Sequence, residues 1–533
     1  MDSPEPLAMP AQKRPRFKQL ALKRQRSAAL TSHHGQGSAG KPLERATRSL
    51  VVDLHNSASF PTLAVGILVG ALREAGQDVE VLSPLAHDVV PLQRERRETV
   101  FDDLQRRVHL SRRHFLRPLR DRARTAHLRW VSRPHRRVLR ETTRALERQP
   151  DVLILSAYLR HFSTVQQVGR LAAANNIPLL LGGPVFNLQE VAEPWLGIPG
   201  LTAIVGAEAD KSLPSMVEAI ARGGDLLEFP GVLLPDGRRS AVAPPLKEID
   251  DSPLPDYTDF PWERYPVRVI SVLASRGCGW GRCTFCSDVR TVAGRTFRSR
   301  SAEAVLDEMQ ALSDRHETRN FQFFDLKLNS SLDQWRGLIR GIPKRIPGAL
   351  WIATVHVDDR KDNGLSLSDL VAARDAGLRR ISFGLESGSQ RLLDAMCKGS
   401  RVEDNSRFIH DAHSAGLSVR CTMFRGFPGE CAEDLELTAS FLEAHAHLID
   451  RVRFNKFSLI AGTPLYQAIQ ENPLALPGLV LDRLDPRNAV AAVKPDSPIG
   501  SGYHQALARV LRQVHAINRR EIRAEARVFD GLM

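Results

Sequence analysis

The sequence predicts an α/β protein in two parts. A doubly wound, Rossmann-like parallel sheet is followed by a partial (β/α)6 barrel of the TIM type and a helical C-terminal tail. Three observations carry this. Short apolar runs alternate with segments of helical period from Ser49 to Val205. A second series of the same kind runs from 268 to 458. Between them lies a stretch rich in proline and acidic residues, 228–264, that reads as a linker. At 533 residues the chain is too long for a single core.

Residues 1–46 are rich in Pro, Ser, Gly, Lys and Arg and have no apolar period, which predicts a disordered basic tail. Residues 47–227 are expected to form the Rossmann-like unit. Its strands are predicted at Ser49–Asp53, Asp78–Leu82, Asp151–Ser156, Pro178–Leu181 and Leu201–Val205, with helices at Thr62–Glu74 and from Ser156 to Asn175. Residues 92–147 are dense in arginine and helical in period, and read as a helical insertion. Such a sheet binds its ligand at the carboxyl ends of the strands, where the strand order switches. The loops beginning at His55, Ser156, Gly182 and Gly206 are therefore the expected rim. Residues 265–466 follow the linker, with strands predicted at 268–274, 320–325, 350–356, 380–385, 418–424 and 452–458 and helices such as 301–313 and 365–376 between them. Six βα units make an open barrel with its site at the C-terminal strand ends. Residues 467–533 are expected to be a helical C-terminal region, in which Tyr503–Phe529 has the charged amphipathic pattern of one long surface helix.

The net charge is +13, with arginine far in excess of lysine. This reads as a bias of the whole chain rather than one binding face, so a nucleic-acid partner is not expected. No run of about 18 apolar residues is present to span a membrane. The basic N-terminus leads into no apolar core of a signal peptide, so a cytoplasmic protein is expected.

Six cysteines in a chain this long do not make a disulfide scaffold. Three of them, Cys278, Cys283 and Cys286, lie within nine residues, just after the first expected barrel strand. The stretch reads Ser275-Arg276-Gly277-Cys278-Gly279-Trp280-Gly281-Arg282-Cys283-Thr284-Phe285-Cys286. Its three glycines let backbone amides approach sulfur, so the loop suits a [4Fe-4S] cluster. Three thiolates leave one iron open to a chelating ligand, a role that the amino and carboxylate groups of S-adenosylmethionine (SAM) fill. A structural zinc site asks for a fourth ligand, usually from a second paired half-site, and none stands at matching spacing. A cysteine nucleophile does not explain a triplet. A metal-stabilised, non-enzymatic binding protein stands as the alternative of another class.

Residues 268–466 resemble the core of the radical SAM superfamily. The spacing C-x4-C-x2-C is one residue longer in its first gap than the commonest form, an addition near Trp280-Gly281 that the loop is expected to absorb. Phe323-Phe324-Asp325 with Leu328-Asn329 resembles the family's second strand end. Gly384-Leu385-Glu386-Ser387-Gly388-Ser389, followed by Met396-Cys397-Lys398-Gly399, resembles the fourth. Gly426-Phe427-Pro428-Gly429-Glu430 resembles the fifth. The resemblance implies a cluster on Cys278, Cys283 and Cys286. It also implies SAM contacts at Phe285 over the adenine, at Asp325, at Glu386 and Ser387 facing the ribose or methionine, and at Gly426, Pro428 and Glu430 near the adenine. His356 stands where many relatives carry arginine in a W-x-A-x-x-R pattern.

Residues 49 to about 225 resemble the cobalamin-binding domain that precedes the barrel in one large radical SAM class. Asp151-Val152-Leu153-Ile154-Leu155-Ser156, Leu181-Gly182-Gly183-Pro184 and Val205-Gly206-Ala207-Glu208 carry the likeness. It implies cobalamin contacts at Asn56, Ser57, Ser156, Tyr158, Gly182, Gly183, Pro184, Gly206 and Glu208. Asp53-Leu54-His55-Asn56-Ser57-Ala58 approximates the D-x-H-x-x-G motif that supplies cobalt with a histidine, with alanine in the glycine's place. A hydrogen-bonded histidine at a strand end is the ordinary reading of His55. Together the two resemblances imply an enzyme that splits SAM to a 5′-deoxyadenosyl radical, takes hydrogen from an unactivated carbon and transfers a methyl group from cobalamin. The implied partners are a small-molecule or natural-product substrate and a reducing electron donor such as flavodoxin or ferredoxin. The rivals are a rearrangement, ring contraction or oxidation without methyl transfer, and an RNA-modifying enzyme, for which no RNA-binding module is recognisable after the barrel.

Overall fold

Leu50, Val51, Val52, Val152, Leu153 and Leu155 have no measurable exposure. Strands covered on both faces read as unbroken apolar runs, and these form the centre of a parallel sheet. In the computed structural model the first sheet comprises β1 (Arg48–Val52), β2 (Asp78–Leu82), β3 (Val152–Ser156), β4 (Leu179–Gly182) and β5 (Leu201–Val205), all parallel, in the order β2-β1-β3-β4-β5. The order reverses between β1 and β3, which is the switch point at which such sheets bind ligands. The structure describes residues 45–532 except 55–58, 90–96, 111–121, 123–133, 185, 287–289, 292–293, 296, 359, 361–363, 473–478, 486–488 and 496–500. The chain divides into Met1–Lys41 and Pro42–Met533; residues 1–44 of the expected basic tail lie outside the described residues, and Arg45 at its end pairs with Asp151 at 2.9 Å.

The stretch expected as a linker begins with a sixth strand, β6 (Val232–Leu233), antiparallel to β5, so the first sheet reaches past residue 227. A two-residue edge strand has no period for a sequence to show. The rest of the linker lies across helix Leu63–Glu74. There Gly66 and Gly70 leave room that side chains would occupy: a Cβ on Gly66 would fall 2.2 Å from the Tyr257 ring, and one on Gly70 2.1 Å from the Leu254 carbonyl oxygen. Tyr257 is fully buried and donates to the Ser271 carbonyl at 2.9 Å, which ties the linker to the barrel.

Two parts of the arginine-dense insertion are described, helices Val100–Leu110 and Arg136–Glu147. The second buries Val138, Ala145 and Leu146 in the core beneath the first sheet. Just before the first, Glu98 N donates to Asn518 O at 3.0 Å, and Asn518 Nδ2 donates to Glu98 Oε1 at 2.7 Å and to Val452 O at 2.8 Å. The insertion therefore reaches from the first sheet to the last strand of the barrel.

The barrel opens with β7 (Ile270–Val272) and a short strand β8 (Ser275–Arg276). A small hairpin follows, β9 (Arg290–Thr291) with β10 (Gly294–Arg295), and then β11 (Arg298–Ser299), antiparallel to β8. The series continues with β12 (Asn320–Phe323), β13 (Leu350–Val355), β14 (Leu378–Glu386), β15 (Ser418–Arg425) and β16 (Arg451–Lys456). The parallel order β16-β15-β14-β13-β12-β7 is a six-stranded open barrel, as the sequence predicts.

The C-terminal region departs from expectation twice. A three-stranded sheet joins β17 (Leu459–Ile460), β18 (Leu479–Asp485) and β19 (Val490–Pro495) in a stretch expected to be mostly helical. Asp485-Pro486 and Asn488 punctuate two short apolar runs there, which is hairpin composition. The last long helix, Ser501–Asn518, is the amphipathic helix expected there, with Ala506, Val510, Val514 and Ile517 fully buried on one face, but it stops well before Phe529. The chain then folds into the barrel at the strand starts. Phe529 and Leu532 pack on Val269 and Ile352, and Arg380 Nη1 donates to the Phe529 and Leu532 carbonyls at 3.1 and 3.3 Å. The charged residues of 519–527 mimic the continuation of an amphipathic helix, and this tertiary contact overrides them.

Two predictions follow from the packing of the linker. Gly70→Ala gains about 1 kcal/mol of helix propensity but collides with the Leu254 carbonyl, at a cost of about 1–3 kcal/mol. Denaturant unfolding should show a net loss, and a gain would contradict the contact. His316 is buried and stacked on Trp262 at 4.7 Å, and burial with the nearby Arg315 charge pushes its pKa down to about 4. The unfolded chain therefore binds more protons than the folded one between about pH 6.5 and 4. Stability should fall as pH drops through that window, and His316→Phe should flatten the fall.

Candidate active site

The cysteine loop leaves β8 and is held from three sides. From β12, Asp325 accepts hydrogen bonds from Ala274 N at 3.0 Å and from the Ser275 hydroxyl. From the turn after β12, Ser330 Oγ accepts from Gly279 N at 3.1 Å. From the segment after β14, the Met396 carbonyl accepts from Thr284 N at 3.0 Å and the Cys397 carbonyl from Trp280 Nε1 at 2.9 Å. Gly281 takes φ +59°, and Trp280 lies flat against Gly399, where a Cβ would fall 2.0 Å from the indole. His356 is buried beside Trp280, with ring centroids 6.0 Å apart, and its Nε2 stands 3.0 Å from the Lys398 carbonyl.

Cys278, Cys283 and Cys286 are in no disulfide, and each is half-buried. Among the described residues no three His, Cys, Asp or Glu side chains form a ready cage for a single metal ion. The donor set itself fits a cluster: three thiols on one glycine-bearing loop, with a buried lysine on either side. Lys398 ion-pairs with Glu386 at 3.1 Å. Burial works against its charge, but Glu386, Cys283 and Cys286 outweigh burial and hold its pKa above the ordinary value. Lys327 ion-pairs with Asp358, which Arg360 also holds at 2.8 Å. Burial lowers the Lys327 pKa, while Asp358 and Cys278 oppose the shift. Thiolates and a cluster are anionic, so two buried cations suit them. The Lys327–Asp358 pair escapes a reading of the sequence, because only the fold brings residues 31 positions apart together.

The residues implied as SAM contacts divide. Phe285 stands edge-on to Phe424 at 5.1 Å, and Phe424, Phe427 and Phe457 continue an aromatic wall. Glu386 ends β14 at φ +59°, a left-handed conformation that a residue with a side chain adopts at a cost and that concentrates at functional sites. The Ser387 hydroxyl is committed to Thr438 Oγ1 at 3.2 Å and to the amide of Ser389 at 3.1 Å. Glu430 closes its own turn, accepting from Gly426 N at 2.8 Å and from the Tyr503 hydroxyl, while Pro428 is buried within that turn. Asp325 is buried in the bonds that hold the loop, and burial pushes its pKa up to about 6 despite them.

A cavity of about 870 Å³ opens at the β1/β3 switch point of the first sheet. Ser156, Tyr158, Gly182, Gly183, Pro184 and Glu208 line one side, and Leu273, Arg276, Gln322 and Phe324 of the barrel line the other. Two of the expected glycines serve chain packing: a Cβ on Gly183 would meet the Ala157 carbonyl at 2.1 Å, and one on Gly206 the Phe186 carbonyl at 2.4 Å. Gly182 meets no heavy atom nearer than 3.6 Å and borders the open space. Glu208 is held by Arg298 at 2.7 and 2.9 Å and faces Arg276 at 3.5 Å. His55, Asn56 and Ser57 lie outside the described residues, while Asp53 beside them accepts from the Thr62 hydroxyl at 2.9 Å. Among the described residues no helix is long and apolar enough to cross a membrane.

Residues 272–442 match the radical SAM superfamily, so the barrel carries that superfamily's domain. The likeness of fold extends beyond that domain. Over 88% of this chain and 91% of the other it is similar, with a TM-score of 0.60 and 18% identity, to the radical SAM methyltransferase TsrM of Kitasatospora setae, solved with cobalamin and a [4Fe-4S] cluster. Among curated relatives it is 25% identical to an uncharacterized methyltransferase of Pyrococcus horikoshii, over 61% of this chain and 71% of that one. It is 29% identical to the anaerobic magnesium-protoporphyrin IX monomethyl ester cyclase of Rubrivivax gelatinosus, over 54% of this chain and 53% of the relative.

The buried Lys398–Glu386 pair gives a direct test of the site's electrostatics. Lys398→Met leaves Glu386 buried without its counter-charge and should cost about 3–5 kcal/mol in anaerobic denaturant unfolding. Adding Glu386→Gln should recover most of that loss. Equal losses in the single and double variants would show that the pair is not coupled.

Proposed function

We propose that the chain is a cobalamin-dependent radical SAM enzyme that methylates an unactivated carbon of a small-molecule substrate. One observation carries this reading: the large cavity at the switch point of the first sheet has the start of the cysteine loop in its far wall, since Arg276 lines it two residues before Cys278. Ligand sites of this size are concave and mostly apolar, with a few convergent polar groups. When bound, the cluster supplies the electron that splits SAM, and the corrinoid supplies the methyl group.

The chain's own residues have distinct tasks in this reading. Cys278, Cys283 and Cys286 hold the cluster. Phe285 and Phe424 offer an apolar face to the adenine. Glu386 and Lys398 present a charged pair to the polar end of SAM. Gly426 and Pro428 shape the turn beside them. Asp325, Ser387 and Glu430 act by positioning, because their polar atoms already hold the loop and the turns. Ser156, Tyr158, Gly182, Gly183 and Pro184 wall the corrinoid, and Glu208 fixes the loop beside it. A small reducing protein of the flavodoxin or ferredoxin kind is the matching electron donor.

The cyclase among the relatives favours a second reading, in which the same radical chemistry oxidises or rearranges a substrate without methyl transfer. Protein purified anaerobically with cobalamin supplied should retain near-stoichiometric corrinoid through gel filtration. Supplied with methyl-deuterated SAM, it should give a product carrying the label. Corrinoid without label in the product supports the second reading. An intact cluster with no retained corrinoid contradicts the proposal.

A further inference from the structure

The two sheets meet in a clasp of ion pairs at the edge of the large cavity. Glu208 and Asp210 follow β5 of the first sheet, while Arg276 and Arg298 face each other across the β8–β11 pair of the barrel. Arg298 forks onto Glu208 at 2.7 and 2.9 Å and also donates to the Leu246 carbonyl at 2.8 Å. Arg276 donates to Asp210 and stands 3.5 Å from Glu208. The Arg276 and Asp210 side chains are only 14% and 10% exposed, so water screens the pair little. A guanidinium fork on carboxylates is also a geometric constraint, because both partners must keep one orientation.

Three features give the clasp a direction. Arg276, Glu208 and Asp210 all line the large cavity, so a ligand there touches the clasp. Behind Arg276 the chain is fixed, with Ala274 N and the Ser275 hydroxyl held by buried Asp325 and the Ala274 carbonyl accepting from Arg300 N at 2.9 Å. Ahead of it a single glycine, Gly277 at φ +83°, precedes Cys278. A displacement of Arg276 is therefore passed forward into the cysteine loop.

We propose that Arg276 is a positioning residue that couples occupancy of the large cavity to the geometry of the cysteine loop, so that a corrinoid in the first and a cluster in the second sense each other. This rests on the corrinoid reading of the cavity. The coupling is reciprocal: if the corrinoid alters the cluster, the cluster alters corrinoid affinity by the same factor.

The test uses the full chain with reconstituted cluster and hydroxocobalamin as the probe. The cluster's EPR spectrum and midpoint potential are recorded with and without the corrinoid, and corrinoid affinity is measured by titration. In the wild type both cluster signals should shift on binding. Arg276→Lys, which keeps the charge but loses the fork, and Glu208→Gln should abolish the shift and weaken corrinoid binding about tenfold. The double variant should lose less than the sum of the two single losses, because Arg276 and Glu208 face each other at 3.5 Å while each also has its own partner. Iron and sulfide contents equal to wild type establish that the variants are folded and loaded. Glu208→Gln leaves the cysteine loop's own sequence intact and carries the test if Arg276→Lys loses iron. Variants that bind corrinoid with wild-type affinity and give a wild-type shift overturn the proposal, as does wild-type protein whose cluster is indifferent to bound corrinoid. Wild-type protein that binds no corrinoid overturns the functional reading and the coupling together.

Discussion

The chemistry of this molecule depends on a seam between two sheets that each aim the carboxyl ends of their strands at the same space. Either sheet alone has a rim and no enclosed site. The seam consists of the linker laid over Gly66 and Gly70, the Tyr257 hydroxyl on the Ser271 carbonyl, and the carboxylates of Glu208 and Asp210 on Arg276 and Arg298. Glycines set how closely the linker approaches, and the ion pairs set the register. A buried pair is weak evidence for stability but a strong constraint on orientation. Here it fixes the strand that leads into the cysteines.

Around that strand the fold concentrates charge where a soluble domain ordinarily avoids it. Lys327, Lys398, Asp358, Glu386 and Asp325 are all buried within the turns that follow β12, β13 and β14. Each charged lysine has a carboxylate partner, so the desolvation cost is offset within the protein. Polarity fixed in this way costs no reorganisation when charge moves. The aromatic wall of Phe285, Phe424 and Phe427 lies next to these charges and gives the mouth one apolar side and one polar side.

Much of this was legible in the sequence. The strands of both sheets follow from buried apolar runs such as Val152–Leu155, and the cluster cysteines from their spacing in a glycine-rich loop. The tail was less legible. The paired strands Leu479–Asp485 and Val490–Pro495 have short, mixed runs, and the charged residues after Asn518 carry the helical pattern past the point where the helix stops. Of the residues the motifs single out, Phe285 joins an aromatic wall and Gly182 and Gly183 border the cavity. Packing contacts of Gly183 and Gly206 and the turn closures of Ser387 and Glu430 are visible only as tertiary distances. The charge is uneven, as the arginine-dense insertion indicates: residues 111–140 hold eleven arginines and one acidic residue. A total hides such a cluster, and a windowed count shows it.

The central claim is that a corrinoid and an iron–sulfur cluster share the space enclosed by the two sheets. The most direct measurement is anomalous X-ray scattering at the cobalt and iron edges, from anaerobic crystals of protein loaded with cobalamin and reconstituted with iron and sulfide. The account predicts cobalt within the cavity bordered by Ser156, Tyr158 and Gly182, and iron at Cys278, Cys283 and Cys286 across the Arg276 seam. Cobalt absent from that cavity, or a single zinc ion in place of iron at the cysteines, would contradict it.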